Sequence, residues 1–218
     1  MVKVCIDPGH GGGDPGATGN GLEEKDVTLK IARYLRNYLN RKYKVSLLVT
    51  RTADETVTLP QRTKLANDAG CELFVSIHVN AGGGTGFESY IYPAAGSKTV
   101  RYRRIIHDEI AGYLRRLGIT DRGKKTANFY VLRETRMSAV LLETLFIDRQ
   151  EDVKWLKDET FLQNYAAAAG EGIAKALDLP VKDDDEKDKT IAELQAEVNR
   201  LRSALQAIKD RAAAALGS

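Results

Sequence analysis

Three residues in the amino-terminal half of the chain have the types and positions that a zinc site requires. His10 follows the apolar run Val2 to Ile6, where glycine and proline break the pattern, and His78 follows a second apolar run, Leu73 to Ile77. Glu24 opens the helical stretch between them. A catalytic zinc ion takes three imidazole or carboxylate ligands and leaves a fourth position for water or substrate. Two histidines and one glutamate match that number.

Two details of this site allow other interpretations. Glu23 is an alternative to Glu24, because both acids lie in a first helical turn, where the helix dipole also favours them. The loop at residues 11–16 matches the dinucleotide pattern G-x-G-x-x-G after a strand. That pattern requires a helix to begin directly, whereas Pro15 and later glycines keep this backbone irregular until about Leu22. The glycines are therefore predicted to bend a loop beside a metal.

The other residues that could do chemistry have simpler explanations. His107 lies within an apolar pattern of helical spacing and is predicted on the helix surface. Asp7 and Asp14 are predicted as turn residues. Cys5 and Cys71 form no framework pattern and are predicted to be buried free thiols, which fits synthesis in a reducing cytoplasm.

Four segments around these residues make the interpretation more specific. They read, in order, IDPGHGGGDPGATGNGLEEKDVTL, LLVTRTADETVTLPQRTKLAND, ELFVSIHVNA and SAVLLETLFIDRQEDV. Together they resemble the zinc-dependent N-acetylmuramoyl-L-alanine amidases of the amidase type 3 family. The resemblance extends from about Lys3 to Leu179.

The resemblance implies roles for individual residues. In that family, the residues that correspond to His10, Glu24 and His78 bind one zinc ion, and the glutamate that corresponds to Glu143 is catalytic. Many members carry glycine two residues after this glutamate, in the pattern ExGF, where this chain has Leu145. That departure resembles the phage lysin branch of the family.

The implied activity is hydrolysis of the amide between the lactyl group of N-acetylmuramic acid and L-alanine of the stem peptide, with peptidoglycan as substrate. Asn80 is expected to orient water or substrate, and Arg51 is expected to be structural. Two alternatives belong to other classes. One is a zinc peptidase that cuts within the stem peptide, and the other is a wall-binding module without catalysis.

Apolar runs alternate with helical patterns, which predicts an α/β fold with a twisted, largely parallel sheet flanked by helices. This catalytic domain is expected at residues 1–180. Predicted strands are Lys3–Ile6, Lys44–Thr50, Leu73–His78, Phe87–Tyr92, Asn128–Leu132 and Ala139–Glu143. Predicted helices are Glu23–Arg41, Leu59–Ala69, Ser97–Leu117, Asp148–Leu156 and Asp158–Leu177.

The carboxyl-terminal segment has a different composition. Residues 181–189 are predicted as a charged linker and residues 190–218 as a coiled-coil helix, which a capping box of Thr190 and Glu193 would begin. The two heptad core positions are Ile191, Val198, Leu205 and Ala212, and Leu194, Leu201, Ile208 and Ala215. A homo-oligomer through this helix is expected, and a helix docked on its own catalytic domain is the alternative.

Composition excludes several classes of function. The chain has 218 residues, 43% of them hydrophobic, and its formal net charge is +3 from 33 basic and 30 acidic residues. This balance does not indicate nucleic-acid binding, and no apolar run approaches the length of a membrane span. Met1 leads directly into the first strand, which predicts synthesis in the cytoplasm without a signal peptide and action on the wall after release. A phage endolysin is the expected source, and a bacterial autolysin without its leader is the alternative.

Overall fold

A computed structural model describes the backbone of residues 1–216 and the side chains of residues 1–183, 189 and 191–210. The chain divides into two units, residues 1–180 and 181–218. The strands are β1 Lys3–Pro8, β2 Thr18–Gly19, β3 Leu22–Glu23, β4 Ser46–Val49, β5 Leu73–Asn80, β6 Phe87–Ile91, β7 Asp121–Thr126 and β8 Ser138–Phe146. The helices are α1 Glu24–Lys42, α2 Leu59–Asp68, α3 Ser97–Arg115, α4 Tyr130–Arg133, α5 Gln150–Lys157, α6 Glu159–Leu177 and α7 Asp184–Leu216.

Six strands form one sheet in the order β4-β1-β5-β8-β6-β7. The first four of these are mutually parallel, β6 runs antiparallel to β8, and β7 is parallel to β6. The prediction of a largely parallel α/β sheet is therefore confirmed. Because β6 reverses direction, its first residues lie beside the carboxyl end of β8, at the edge where open α/β sheets bind ligands.

Alternate residues of the central strands face two separate apolar layers. Val4 and Val75 belong to the larger cluster, which includes buried residues of α1, α3 and α6. Cys5 and Phe74 belong to a smaller cluster with residues of α2 and α4. Strands covered on both faces need near-continuous apolar sequence, and β1 and β5 have it. Both cysteines are buried free thiols, as predicted.

One predicted strand, Asn128–Leu132, is wrong. The strand at this place in the chain is β7, whose sequence DRGKKT is polar and largely exposed at the edge of the sheet. Charged residues protect a sheet edge from pairing with other chains, but they also remove the apolar signal that marks a strand. Val131 and Leu132 are instead buried on the single turn of α4.

Helix α7 begins earlier than the sequence predicts. It starts at Asp184, so most of the expected linker is helical and Thr190 lies inside the helix rather than at its start. The Glu and Lys residues of this segment have high helix propensity, which explains the extension. Six predicted core residues are exposed: Ile191, Leu194, Val198, Leu201, Leu205 and Ile208. The side chains of Thr190, Ala212 and Ala215 lie outside the described residues, and the coiled coil stays a prediction.

Within residues 1–216, no helix combines the length and apolar character that crossing a membrane requires.

Candidate metal and catalytic site

The structure brings His10, Glu24 and His78 together at the carboxyl edge of the sheet. Their ligand atoms all lie within 4.8 Å of one another. His10 Nε2 is 3.2 Å from Glu24 Oε2, and His78 Nδ1 is 2.9 Å from Glu24 Oε1. The side chains of His10 and His78 remain 24% and 20% exposed, so both rings are accessible. Two imidazoles and one carboxylate therefore converge on a single point from three parts of the chain.

Between the two neighbouring acids, the geometry selects Glu24. Its carboxylate is buried and accepts hydrogen bonds from the backbone N–H groups of Ala17 and Val79, each at 2.9 Å. Glu23 is half exposed and pairs with Lys25 at 3.3 Å. Helix α1 begins at Glu24, so its first turn carries this carboxylate directly between the two histidines.

Two glycines allow the three side chains to approach so closely. A Cβ atom at Gly9 would lie 2.4 Å from the His78 ring, and one at Gly16 would lie 2.7 Å from both Glu24 and His10. Gly16 also has a φ of 67°, in the left-handed region that glycine adopts without strain. The loop glycines thus serve the packing of the site, and the helix that follows begins at Glu24 rather than directly after the G-x-G-x-x-G pattern.

Buried arginines hold the loop that carries His10. Arg51 donates to the carbonyl oxygens of Pro8 and Gly9, and Arg62 donates to those of Pro8 and His10. Arg62 also pairs with buried Asp7 at 2.8 Å. Arg51 is therefore structural, as expected. The prediction that Asp7 is a turn residue is wrong, because Asp7 lies on β1 and its charge compensates Arg62.

Asp14 orients His10, and the two imidazoles set the charge of Glu24. Asp14 Oδ2 lies 2.8 Å from His10 Nδ1, which leaves Nε2 facing Glu24. A carboxylate on the far nitrogen of a histidine is the usual arrangement behind a metal ligand. Burial alone would raise the pKa of Glu24, but the two imidazoles outweigh it and hold that pKa well below its usual range. The carboxylate is therefore ionised at neutral pH.

Glu143 lies beside this cluster on β8, directly opposite His78 in the neighbouring strand. Its Oε2 atom is buried and has no hydrogen-bond partner among the described residues. Burial raises the pKa of Glu143 to about 7, with further contributions from Glu24 and Glu88. A carboxylate with a pKa near neutrality can accept a proton and release it again at physiological pH.

Asn80 lies at the end of β5, where the pairing with β8 shifts register. Its Nδ2 atom donates to Glu88 Oε1 at 2.6 Å, and its Oδ1 atom accepts from the backbone N–H of Ala81 at 2.8 Å. Glu88 is buried and was not identified from the sequence. Its position in a strand opposite Glu143 is a tertiary feature that no local motif signals.

The cluster opens into a cavity of about 650 Å³. Its polar lining includes His10, His78, Asn80 and Glu143. Its apolar lining includes Val57, Leu59, Phe129, Tyr130 and Val131. A cavity with a few convergent polar groups and an apolar wall is the usual form of a substrate site.

His107 is not a surface residue, and that prediction is wrong. It is fully buried, with Nδ1 at 2.8 Å from Ser89 Oγ and Nε2 at 2.9 Å from Asp121 Oδ1. Burial lowers its pKa against the attraction of Asp121. The helical spacing was correct, but it could not show that β6 and β7 cover this face of α3.

The donor set at His10, Glu24 and His78 fits a zinc ion. Imidazole nitrogen and carboxylate oxygen are ligands that zinc prefers, and three of them match a catalytic site with one open position. The unpaired Glu143 Oε2 atom lies at the same edge of the sheet. The residues present therefore suit both the metal and a base beside it.

Comparisons with known proteins identify the family of this chain. Residues 4–175 match the Amidase_3 family, described as N-acetylmuramoyl-L-alanine amidase. The N-acetylmuramoyl-L-alanine amidase CwlM of Bacillus licheniformis is 54% identical over 82% of this chain and 70% of its own length. The endolysin of Bacillus phage SPP1 is 44% identical over 82% of this chain and 67% of its own length.

Solved structures show the same architecture. The catalytic domain of CwlV, an N-acetylmuramoyl-L-alanine amidase from Bacillus (Paenibacillus) polymyxa, is 34% identical with a TM-score of 0.77 over 83% of this chain and all of that domain. An amidase of the same description from Clostridium difficile 630 is 32% identical with a TM-score of 0.78, over 81% of this chain and 97% of its own. On sequence and on structure, this chain belongs to the N-acetylmuramoyl-L-alanine amidase family.

Proposed function

We propose that this chain hydrolyses the amide bond between the lactyl group of N-acetylmuramic acid and L-alanine of the stem peptide in peptidoglycan. The observation that carries the proposal is the unpaired Oε2 atom of Glu143 beside the convergent His10, Glu24 and His78 atoms, on a cavity open to substrate. The family to which the chain belongs supports the choice of bond.

In this proposal, His10, Glu24 and His78 hold one zinc ion. When bound, zinc supplies Lewis acidity, which polarises a carbonyl and makes a nearby water more acidic. Glu24 brings the negative charge that a divalent cation requires, and Asp14 fixes the nitrogen that His10 presents. Gly9 and Gly16 keep the space in which the ligands converge.

Glu143 acts as the general base and then as the general acid. Its carboxylate takes a proton from the attacking water as the new C–O bond forms at the lactyl carbonyl. The C–N bond then breaks, and Glu143 returns the proton to the nitrogen of L-alanine, which leaves as an amine. A pKa of about 7 suits both transfers, because the group is neither strongly basic nor strongly acidic at neutral pH.

Product analysis tests this function. Mass spectrometry of digested peptidoglycan should show stem peptides with a free L-alanine amino group and glycan strands with an intact lactyl carboxylate. A metal chelator should abolish their release, and added zinc should restore it. New amino groups within the stem peptide would instead indicate a zinc peptidase, and a wall-binding module would release neither product.

We also propose that helix α7 joins subunits as a parallel coiled coil. Its exposed apolar residues alternate at spacings of three and four. Glu197 and Arg202 occupy the flanking heptad positions that face each other between the two helices of a parallel coiled coil. An isolated helix is marginal in water, so this stripe needs a partner. Linked catalytic domains could rebind a polymeric substrate before all of them dissociate.

Deletion of Asp183 to Ser218 tests the coiled coil. Light scattering should show an oligomer for the full chain and a monomer for the shortened one. The deletion should also slow lysis of intact wall more than cleavage of a small soluble muropeptide. A monomer in both cases would favour the docked helix.

For the enzyme itself, we propose release from the cell that makes it before it acts on the wall.

A further inference from the structure

We propose that Glu88 is a positioning residue of the amidase site and acts through Asn80. The proposal rests on the function proposed above and goes beyond it, because it assigns a role to a buried carboxylate outside the metal ligands and the general base. Three contiguous strands place the relevant groups. Glu143 on β8 is opposite His78 on β5 and opposite Glu88 on β6, so the three residues form one row across the sheet.

The carboxylate of Glu88 is 3% exposed and fully bonded. Oε1 accepts from Asn80 Nδ2 at 2.6 Å and from the Tyr90 hydroxyl at 2.7 Å. Oε2 accepts from Arg122 Nε at 2.8 Å and pairs with Lys125. These two cations hold the pKa of Glu88 at about 2 although burial opposes them, so the group is ionised.

Stability alone is a weak reason for this arrangement. A buried ion cluster must repay the desolvation of its charges, and well-packed apolar residues often replace such a cluster without loss of stability. What the cluster does achieve is a single orientation for one amide. A carboxylate accepts hydrogen bonds and cannot donate them, so Asn80 must turn its NH₂ group, not its oxygen, toward Glu88.

The second contact of Asn80 completes this constraint. Its Oδ1 atom accepts from the Ala81 backbone N–H at 2.8 Å, so both ends of the amide are determined. One N–H of Nδ2 is given to Glu88, and the other remains for a further acceptor. Asn80 lines the cavity together with Glu143. The remaining N–H is therefore the group that Glu88 positions for a carbonyl oxygen of the peptide-like substrate.

Four variants separate positioning from a merely structural contact. Asn80→Ala removes the N–H group. In Glu88→Gln, the new side-chain NH₂ group must face either the NH₂ group of Asn80 or the two cations. Each should lower kcat/KM about tenfold to a hundredfold, as expected when a buried acceptor loses its hydrogen-bond partner. Asn80→Asp places two carboxylates together and should lower both stability and kcat/KM.

The decisive variant combines Asn80→Asp with Glu88→Gln. The pair can again form a hydrogen bond, now with the Gln side chain as donor, but position 80 has no N–H for the substrate. We expect the thermal midpoint to return toward that of the parent while kcat/KM stays as low as in Asn80→Ala. Recovery of both stability and kcat/KM would show a structural pair and overturn the proposal.

Tyr90→Phe is the matched control, because it removes another hydrogen bond to the same Oε1 atom and leaves Asn80 in contact. It should keep kcat/KM within about twofold of the parent, and all variants should retain zinc. The proposal also fails if Asn80→Ala or Glu88→Gln stays within twofold of the parent, or if Tyr90→Phe loses as much activity as they do. The parent's products are identified first, so an error in the proposed function is recognised separately.

Discussion

The His10–Glu24–His78 cluster at the sheet edge and the Ser89–His107–Asp121 cluster inside the fold both pair imidazole with carboxylate. In the first, the donor atoms of three side chains converge within 4.8 Å beside a cavity. In the second, the atoms form a chain of hydrogen bonds of 2.8 and 2.9 Å. These hydrogen bonds connect serine, histidine and aspartate in the order of a serine hydrolase triad. Ser89 and His107 are fully buried, however, so no substrate reaches the hydroxyl.

The two clusters also titrate in opposite directions. The pKa of His10 rises to about 8, because Glu24 and Asp14 together outweigh its partial burial. The pKa of His107 falls, because burial outweighs the attraction of Asp121. Residue types alone therefore do not identify a site. The access of solvent and the convergence of lone pairs on one point decide which cluster can do chemistry.

The largest expected difference between the clusters is in metal binding. His78→Ala removes one of three ligands and should abolish zinc binding and wall lysis together. His107→Gln changes the buried cluster and should leave zinc content unchanged. Elemental analysis of the two purified variants makes the comparison, and full zinc occupancy in His78→Ala would refute the assigned ligand set.

Glu143→Gln should separate chemistry from binding at the open cluster. It removes the proton acceptor but none of the three proposed ligands, so zinc should remain while lysis falls roughly a hundredfold to ten-thousandfold. Ser89→Ala provides the matched test at the buried cluster and should leave lysis unchanged. A strong loss with Ser89→Ala and a small one with Glu143→Gln would reverse the roles of the clusters.

At the buried cluster, substitution should affect stability rather than activity. His107→Gln cannot bond both Ser89 and Asp121 in the same way, and a buried polar group left unsatisfied costs about 1–3 kcal/mol. Urea unfolding of parent and variant measures this difference in the free energy of unfolding. An unchanged free energy would mean that the hydrogen-bonded chain does not hold α3 against β6 and β7.

A smaller effect concerns pH. Because burial lowers the pKa of His107 below the ordinary value of about 6.5, the unfolded chain binds a proton that the folded chain resists. The stability that His107 contributes is full above about pH 6.5 and is lost as the pH falls through the lower folded pKa. The difference in unfolding free energy between parent and His107→Gln should therefore shrink from pH 7.5 to pH 5. A difference that grows would indicate an imidazolium paired with Asp121.

Leu145 shows how a departure in sequence acquires a structural reason. The family resemblance implies that many members carry glycine at this position, where this chain has Leu145. In the structure, Leu145 has a φ of 64°, in the left-handed region that favours glycine. The side chain is fully buried in the larger apolar cluster. Burial of a leucine contributes about 1.5–3 kcal/mol, which offsets a backbone cost of about 1–2 kcal/mol.

The sequence by itself determined the central elements and which residues lie at their ends. Apolar runs of strand length, broken by glycine and proline, were sufficient to predict β1 and β5 and to place His10 and His78 at their carboxyl ends. Helical periodicity was sufficient for α1, and hence for a carboxylate at its start. These are local signals, because each depends on residues adjacent in the chain.

Tertiary structure decided what those signals cannot contain. It chose Glu24 over Glu23, since only the folded chain shows which carboxylate faces the histidines. It buried His107, because β6 and β7 cover α3. It also paired Glu88 on β6 with Asn80 on β5, although β8 lies between these two strands in the sheet. A polar edge strand such as β7 carries no apolar pattern, so its position follows from the sheet it completes. Contacts between separate elements are set by packing, and periodicity reports only which face of one element is apolar.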